Sequence, residues 1–160
     1  SAGPWEIIAV GAAHAGKQMP LKLMQSLILK AQAKGHRTVL IGGNGDAETA
    51  GILSKGFDHS VVNLVGKTSI GESAALIRAA ERAYSGDTGM MHLAAAMETP
   101  VTSIWGCTRP SLGMSPWRPT DGSVEILPER RDPMRPCSKL GNRCRFNGES
   151  ECMHRHTFAS

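Results

Sequence analysis

Thr38-Val39-Leu40-Ile41 runs into Gly42-Gly43-Asn44-Gly45, and Asp46 then opens a short helix through about Ser54, with Gly56 behind it. This is a strand, a glycine-rich loop and a capped helix in succession. The unit recurs on both sides. Upstream, Glu6-Ile7-Ile8-Ala9-Val10 reads as a strand, followed by a loop of Gly, Ala and His. A helix then runs from about Leu21 to Lys34, with Leu21, Met24, Ile28 and Ala31 on one apolar face and Gly35 at its stop. Downstream, Val61-Val62-Asn63-Leu64-Val65 is a third strand. Ser69 and Glu72 have the spacing of a capping box, in which each side chain satisfies the other residue's orphan amide. That box opens a helix with Ile70, Ala74 and Ile77 on one face. Arg82-Ala83-Tyr84-Ser85 has poor strand propensity and is placed fourth by its context. A helix from Thr88 to about Met97, a fifth strand Val101–Trp105 and a short sixth strand Val124–Leu127 complete the series. Strands separated by single helices form right-handed crossovers and a parallel sheet. The expected fold is therefore α/β, a doubly wound, Rossmann-like parallel sheet over residues 1–127. From 128 to 160 the texture changes to Cys, Arg and Pro without periodicity, the pattern of an irregular tail packed on the domain.

The chain of 160 residues has the length of one domain, and its 41% hydrophobic and 20% charged content excludes wholesale disorder. No apolar run approaches the roughly 20 residues of a membrane helix, and the first residues lack the features of a signal peptide. The formal charge of +4 suits an anionic ligand or surface. Aromatic residues, at 4%, are too few for the stacking platforms of single-strand nucleic-acid binders, so nucleic acid is not an expected partner. Four cysteines in a chain of this length do not make a secreted disulfide scaffold, which points to a reduced, cytosolic compartment.

In an open parallel sheet, ligands bind beyond the carboxyl ends of the strands. The loops there carry His14, Gly16 and Lys17; Asn44, Asp46 and Glu48; Lys67, Thr68 and Ser69; Asp87, Thr88 and Gly89 with His92; and Gly106, Cys107 and Thr108. Glycines, hydroxyls and cations gathered at one edge are the equipment of a phosphate site. Gly86-Asp87-Thr88-Gly89 is the sharpest of these loops, because it leads into a helix whose free amides and positive dipole end attract an anion. Gly89 admits a phosphate close to the backbone, Thr88 offers a hydroxyl, and His92 follows one turn later. Asp87 or Thr88 as a simple N-cap is the plainer alternative.

Three strings together resemble glycosyltransferase family nine, the ADP-heptose:lipopolysaccharide heptosyltransferases. They are Val62-Asn63-Leu64-Val65-Gly66-Lys67-Thr68-Ser69-Ile70, Gly86-Asp87-Thr88-Gly89-Met90-Met91-His92-Leu93-Ala94-Ala95-Ala96, and Trp105-Gly106-Cys107-Thr108-Arg109-Pro110. Gly16-Lys17-Gln18-Met19-Pro20 is similar to the family's early K-R-W-P loop, with Met19 in place of the usual Trp. The run from Cys137 through Cys144 to Cys152 resembles a Cys-rich ending seen in many members. The resemblance implies the C-terminal, donor-binding half of a GT-B fold. Lys17 would contact donor phosphate, Thr88, Gly89 and His92 the pyrophosphate, and Asp87 the donor hydroxyls. Glu48 lies near the family's ribose-binding acid, and Thr68 sits where adenine packs.

The implied reaction moves heptose from ADP-heptose to a hydroxyl of the lipopolysaccharide inner core, with inversion and without a metal or other cofactor. No catalytic residue is expected in this stretch: the general base and the acceptor site would belong to an N-terminal domain outside it. The implied location is cytoplasmic, with peripheral contact to the inner membrane as a further expectation. Two other readings compete: a non-catalytic nucleotide-sugar-binding module, and a GT-B enzyme using another donor such as a UDP-sugar. Cys137, Cys144, Cys152 and His154 could form a zinc site, but their spacing lacks close C-x-x-C pairs, and reduced structural cysteines are the expected reading. Cys107 reads as a small loop residue near the ligand. Arg130, Arg131, Arg135, Lys139, Arg143 and Arg145 read as a solvated face, with contact to an acidic acceptor or membrane surface as the sharper alternative.

Overall fold

A computed structural model describes residues 3–57, 59–128, 136–145 and 151–156. Its centre is a six-stranded, fully parallel sheet in the order β3-β2-β1-β4-β5-β6. The strands are β1 (Trp5–Ala9), β2 (Arg37–Ile41), β3 (Val61–Asn63), β4 (Arg82–Gly86), β5 (Val101–Ile104) and β6 (Val124–Ile126). The helices between them are α1 (Leu21–Ala33), α2 (Ala47–Gly56), α3 (Ile70–Arg78) and α4 (Gly89–Ala96), with a short α5 (Glu151–His154) in the tail. This strand order is that of the doubly wound sheet, as expected, and it reverses direction between β1 and β4.

Alternation along the strands divides the core in two. Ile8, Val10, Leu40 and Tyr84 meet Met24, Leu27 and Ile28 of α1 and Leu53 of α2 on one face. Ile7, Ala9, Val39 and Ala83 meet Ile77 of α3 and Met91 and Ala94 of α4 on the other. Because successive residues of a strand point to opposite faces, a run such as Glu6–Val10 must be apolar throughout its middle to serve both layers.

Several elements differ from expectation in extent. β3 ends at Asn63, whose side-chain oxygen accepts the Val65 amide and turns the chain out of the sheet. Gly56 is the last residue of α2 and lies inside it. Ile70, expected on the apolar face of α3, is 65% exposed because it sits at the first turn, beyond the edge of the core. β4 forms despite its poor propensity, because its neighbours β1 and β5 bury it on both sides.

The tail's described residues lie against the loop after β5. Met153 of α5 is fully buried within the α1–α2 layer, and His156 Nε2 lies 2.7 Å from the Trp105 carbonyl. Of the basic residues read as a face, Arg130, Arg131 and Arg135 lie outside the described residues, while Lys139, Arg143 and Arg145 are exposed.

Candidate functional site

A cavity of about 570 Å³ opens beyond the carboxyl ends of β1, β2 and β4. It lies where the strand order reverses, because crossovers leaving β1 and β4 go to opposite faces and part there. Gly11, Ala12, Ala13 and Lys17 line it from the first loop, Gly42, Gly43 and Asp46 from the second, Thr68, Ile70 and Ser73 from the third, and Asp87–Met90 from the fourth.

Five of the seven residues singled out from sequence therefore meet at one wall: Lys17, Thr68, Asp87, Thr88 and Gly89. Lys17 ends a one-turn 3-10 helix over Ala15–Lys17, and its Nζ lies 2.9 Å from Asp87 Oδ2. The contact has the distance of an ion pair but not the alignment of a hydrogen bond: Asp87 Oδ2 has no hydrogen-bond partner among the described residues. Asp87 is 5% exposed, so the ammonium beside it offsets the cost of holding a carboxylate away from water. Gly86 is required below this pair, since a Cβ there would strike the Lys17 carbonyl.

Thr88 is the N-cap of α4, yet its hydroxyl does not cap the helix; it lies 2.9 Å from the Ser85 hydroxyl. The first amides of α4 thus keep no side-chain acceptor from their cap, and Gly89 presents backbone at the cavity wall. Thr68 and Ser73 share a hydrogen bond of 2.9 Å.

Two expected residues stand elsewhere. Glu48 is exposed on the first turn of α2, and His92 is exposed on α4; neither lines the cavity. The acid that does line it from the second loop is Asp46. Its Oδ2 accepts the Gly43 amide at 2.9 Å, and its carboxylate fills the space that a side chain on Gly11 or Gly42 would need. The clue was in the sequence: an acid directly after a triple-glycine loop, opposite another glycine after β1. Cys107 is fully buried and is not a cavity residue; it lies behind the first loop, against Gly16.

The cavity joins two chemistries. Lys17 and the α4 amides attract an anion, whereas Asp46 and Asp87 accept hydrogen bonds from hydroxyls. The apolar side chains of Ile70 and Met90 add a surface for a flat group.

Fold and cavity together define a doubly wound α/β protein whose site sets one ammonium and a helix N-terminus beside two carboxylates. A sequence model of glycosyltransferase family 9 (heptosyltransferase) matches residues 2–141, and the chain belongs to that family. It is 32% identical over 93 residues to lipooligosaccharide heptosyltransferase 2 of Haemophilus influenzae, across 56% of this chain and 26% of the relative. Among solved structures, the E. coli heptosyltransferase WaaC with ADP is similar at a TM-score of 0.69 and 27% identity, over 78% of this chain and 38% of that one. The E. coli ADP-heptose lps heptosyltransferase II superposes at a TM-score of 0.72 and 20% identity, over 95% of this chain and 45% of that one. The chain thus spans less than half the length of these relatives.

Proposed function

We propose that this chain is the donor-binding, C-terminal half of a GT-B heptosyltransferase, holding ADP-heptose for transfer to an inner-core hydroxyl of lipopolysaccharide. The observation that carries the reading is the cavity at the sheet's reversal, where a cation and helix amides face two carboxylates. In this reading the diphosphate lies across Lys17, Thr88 and Gly89. Asp46 and Asp87 take hydroxyls of ribose and heptose, and the adenine rests by Thr68 and Ile70. Asp46, which lines the cavity, replaces the exposed Glu48 as the ribose acid.

As the glycosidic bond to the donor breaks, charge grows on the departing diphosphate. Preorganised amides at the α4 terminus and the Lys17 ammonium stabilise that charge without reorganising, which fits a leaving-group chemistry run without a metal. The base that takes the acceptor's proton, and the surface that orients the acceptor, belong to a preceding domain. The protein works on the cytoplasmic side, in peripheral contact with the inner membrane.

Calorimetric titration of the chain with ADP, UDP, GDP and their sugars tests the reading. ADP and ADP-heptose are expected to bind tightest. Equal or tighter binding of UDP-sugars would replace the donor, and absence of binding by any nucleotide would overturn the assignment.

A further inference from the structure

We propose that Ser85 is a positioning residue for the diphosphate: it holds the Thr88 hydroxyl off its own helix, so that the first amides of α4 stay open to an anion. The inference rests on the donor-binding reading above. Ser85 lies in β4, is 1% exposed and does not line the cavity. Its Oγ lies 2.9 Å from Thr88 Oγ1 and donates to the Gly86 carbonyl at 2.9 Å.

Thr88 has what a helix cap needs. It stands in extended backbone, φ −139° and ψ 171°, directly before Gly89, and threonine is among the preferred capping residues. A hydroxyl there ordinarily turns inward and accepts an amide of the first turn. Thr88 does not. Ser69, at the same position of α3, accepts the Glu72 amide in the ordinary way. The two caps differ in what holds the hydroxyl, because Thr88 is bonded from behind by Ser85 and Ser69 by its own helix. At α4 the Met91 amide already goes to the Thr88 carbonyl at 3.1 Å. The amides left to contest are those of Gly89 and Met90, and both residues line the cavity. A capping oxygen on Met90 would compete with a phosphate oxygen for the same donor.

The protons of the pair can be counted. Ser85 donates to the Gly86 carbonyl, which leaves Thr88 to donate to Ser85. A phosphate oxygen at the α4 terminus needs a donor of its own. Reversing the pair supplies one, with Ser85 donating to Thr88 and the Thr88 proton turned to the anion. In either order Ser85 anchors Thr88. Packing alone gives a weaker reason for a hydroxyl here. Ser85 shares its strand face with Ala83, in the apolar layer under α3 and α4, where alanine would serve without a polar group to satisfy.

The test is calorimetric titration of the whole chain with ADP and adenosine, on Ser85→Ala, Thr88→Val and the double variant. Ser85→Ala is expected to weaken ADP about tenfold or more, the worth of one hydrogen bond to a charged group, and to leave adenosine unchanged. Its midpoint in urea should be no lower than that of the unaltered chain, because the released Thr88 hydroxyl now caps α4. In the unaltered chain Thr88→Val removes a donor and should weaken ADP. In the Ser85→Ala background the same change clears the amides and should tighten it, a reversal of sign that a merely structural Ser85 does not produce. Should Ser85→Ala fail to fold by circular dichroism, Ser85→Cys, which keeps a side chain of similar size but bonds weakly, takes its place in the cycle. Equal losses for ADP and adenosine, or Thr88→Val weakening ADP in both backgrounds, would overturn the role of Ser85 and leave the donor-binding reading intact. If UDP binds in place of ADP, the donor assignment fails, and the same cycle run with UDP still decides Ser85. If ADP, UDP and GDP all fail to bind the unaltered chain, the donor-binding reading falls and this inference falls with it.

Discussion

Lys17 is the residue on which the diphosphate reading turns, because its ammonium is the sole lysine or arginine head on the described cavity wall. Lys17→Ala is expected to weaken ADP binding by about 1.5–3 kcal/mol, the range of a charge-assisted hydrogen bond, and to leave adenosine binding nearly unchanged. Calorimetry with both ligands checks this; equal losses would place Lys17 outside the phosphate site. The same substitution strands Asp87, so Lys17→Ala with Asp87→Asn should recover part of any lost stability but none of the lost discrimination. Sequence located Lys17, Thr68, Asp87, Thr88 and Gly89 because each follows a strand, and the sheet's topology brings strand ends together. Glu48 stands outside the cavity, and the acid lining it is Asp46, two positions earlier. A helix turns 100° per residue, so the choice between Asp46 and Glu48 depends on where α2 begins, and helix starts are uncertain by a residue or two.

At the scale of elements, α3 was legible almost in full because its start is written in side chains. Ser69 Oγ accepts the Glu72 amide, and Glu72 in turn accepts the Ser69 amide at 2.8 Å. Ser69→Ala should cost about 1 kcal/mol of stability, the usual worth of an N-cap, read as a lower midpoint in urea unfolding. Those hydrogen bonds from Ser69 also hold the Glu72 carboxyl below its ordinary range, so the cap's contribution is complete above that range and fades as pH falls. β4 shows the opposite case. Arg82-Ala83-Tyr84-Ser85-Gly86 carries little local preference, and its pairing with β1 and β5 is a long-range fact that no window of sequence contains. The tail was read as packed on the domain, but its particular contacts were not legible for a similar reason: they run from α5 back to the loop after β5, across about a third of the chain.

For the whole molecule, the buried Glu6 is expected to set the acid limit. Glu6 is 1% exposed at the start of β1, with Lys34 Nζ at 2.8 Å and His36 Nδ1 at 2.9 Å. Burial raises its pKa, but hydrogen bonds from Lys34, His36 and Tyr84 outweigh that and hold it below the usual carboxylate range. A lowered folded pKa means stability that is present above the unfolded value and is lost as pH falls through the folded one. Thermal midpoints should therefore drop below about pH 4.5, the ordinary glutamate value, and Glu6→Gln should flatten that slope while lowering stability at neutral pH by about 1–3 kcal/mol. A drop of the same steepness in Glu6→Gln would assign the acid limit to other groups. On its own, the chain is expected to bind donor without transferring it. General-base catalysis contributes roughly 10²–10⁴-fold, and acceptor orientation a further factor, and both are assigned to the other half. Turnover by the 160-residue chain near the rate of the complete protein would place the base here, with Asp87 the first residue to test.

The opposed ends of β1 also matter for how the protein can change. Glu6 anchors one end and Gly11 opens onto the cavity at the other, five residues away, or roughly 16 Å along an extended strand. Substitutions that far apart, with no shared partner, add independently. Robustness and donor preference can therefore be selected separately. A lineage, or an engineer, can harden the Lys34–Glu6–His36 end against heat or acid and meanwhile rewrite the loops at the other end for a different sugar nucleotide.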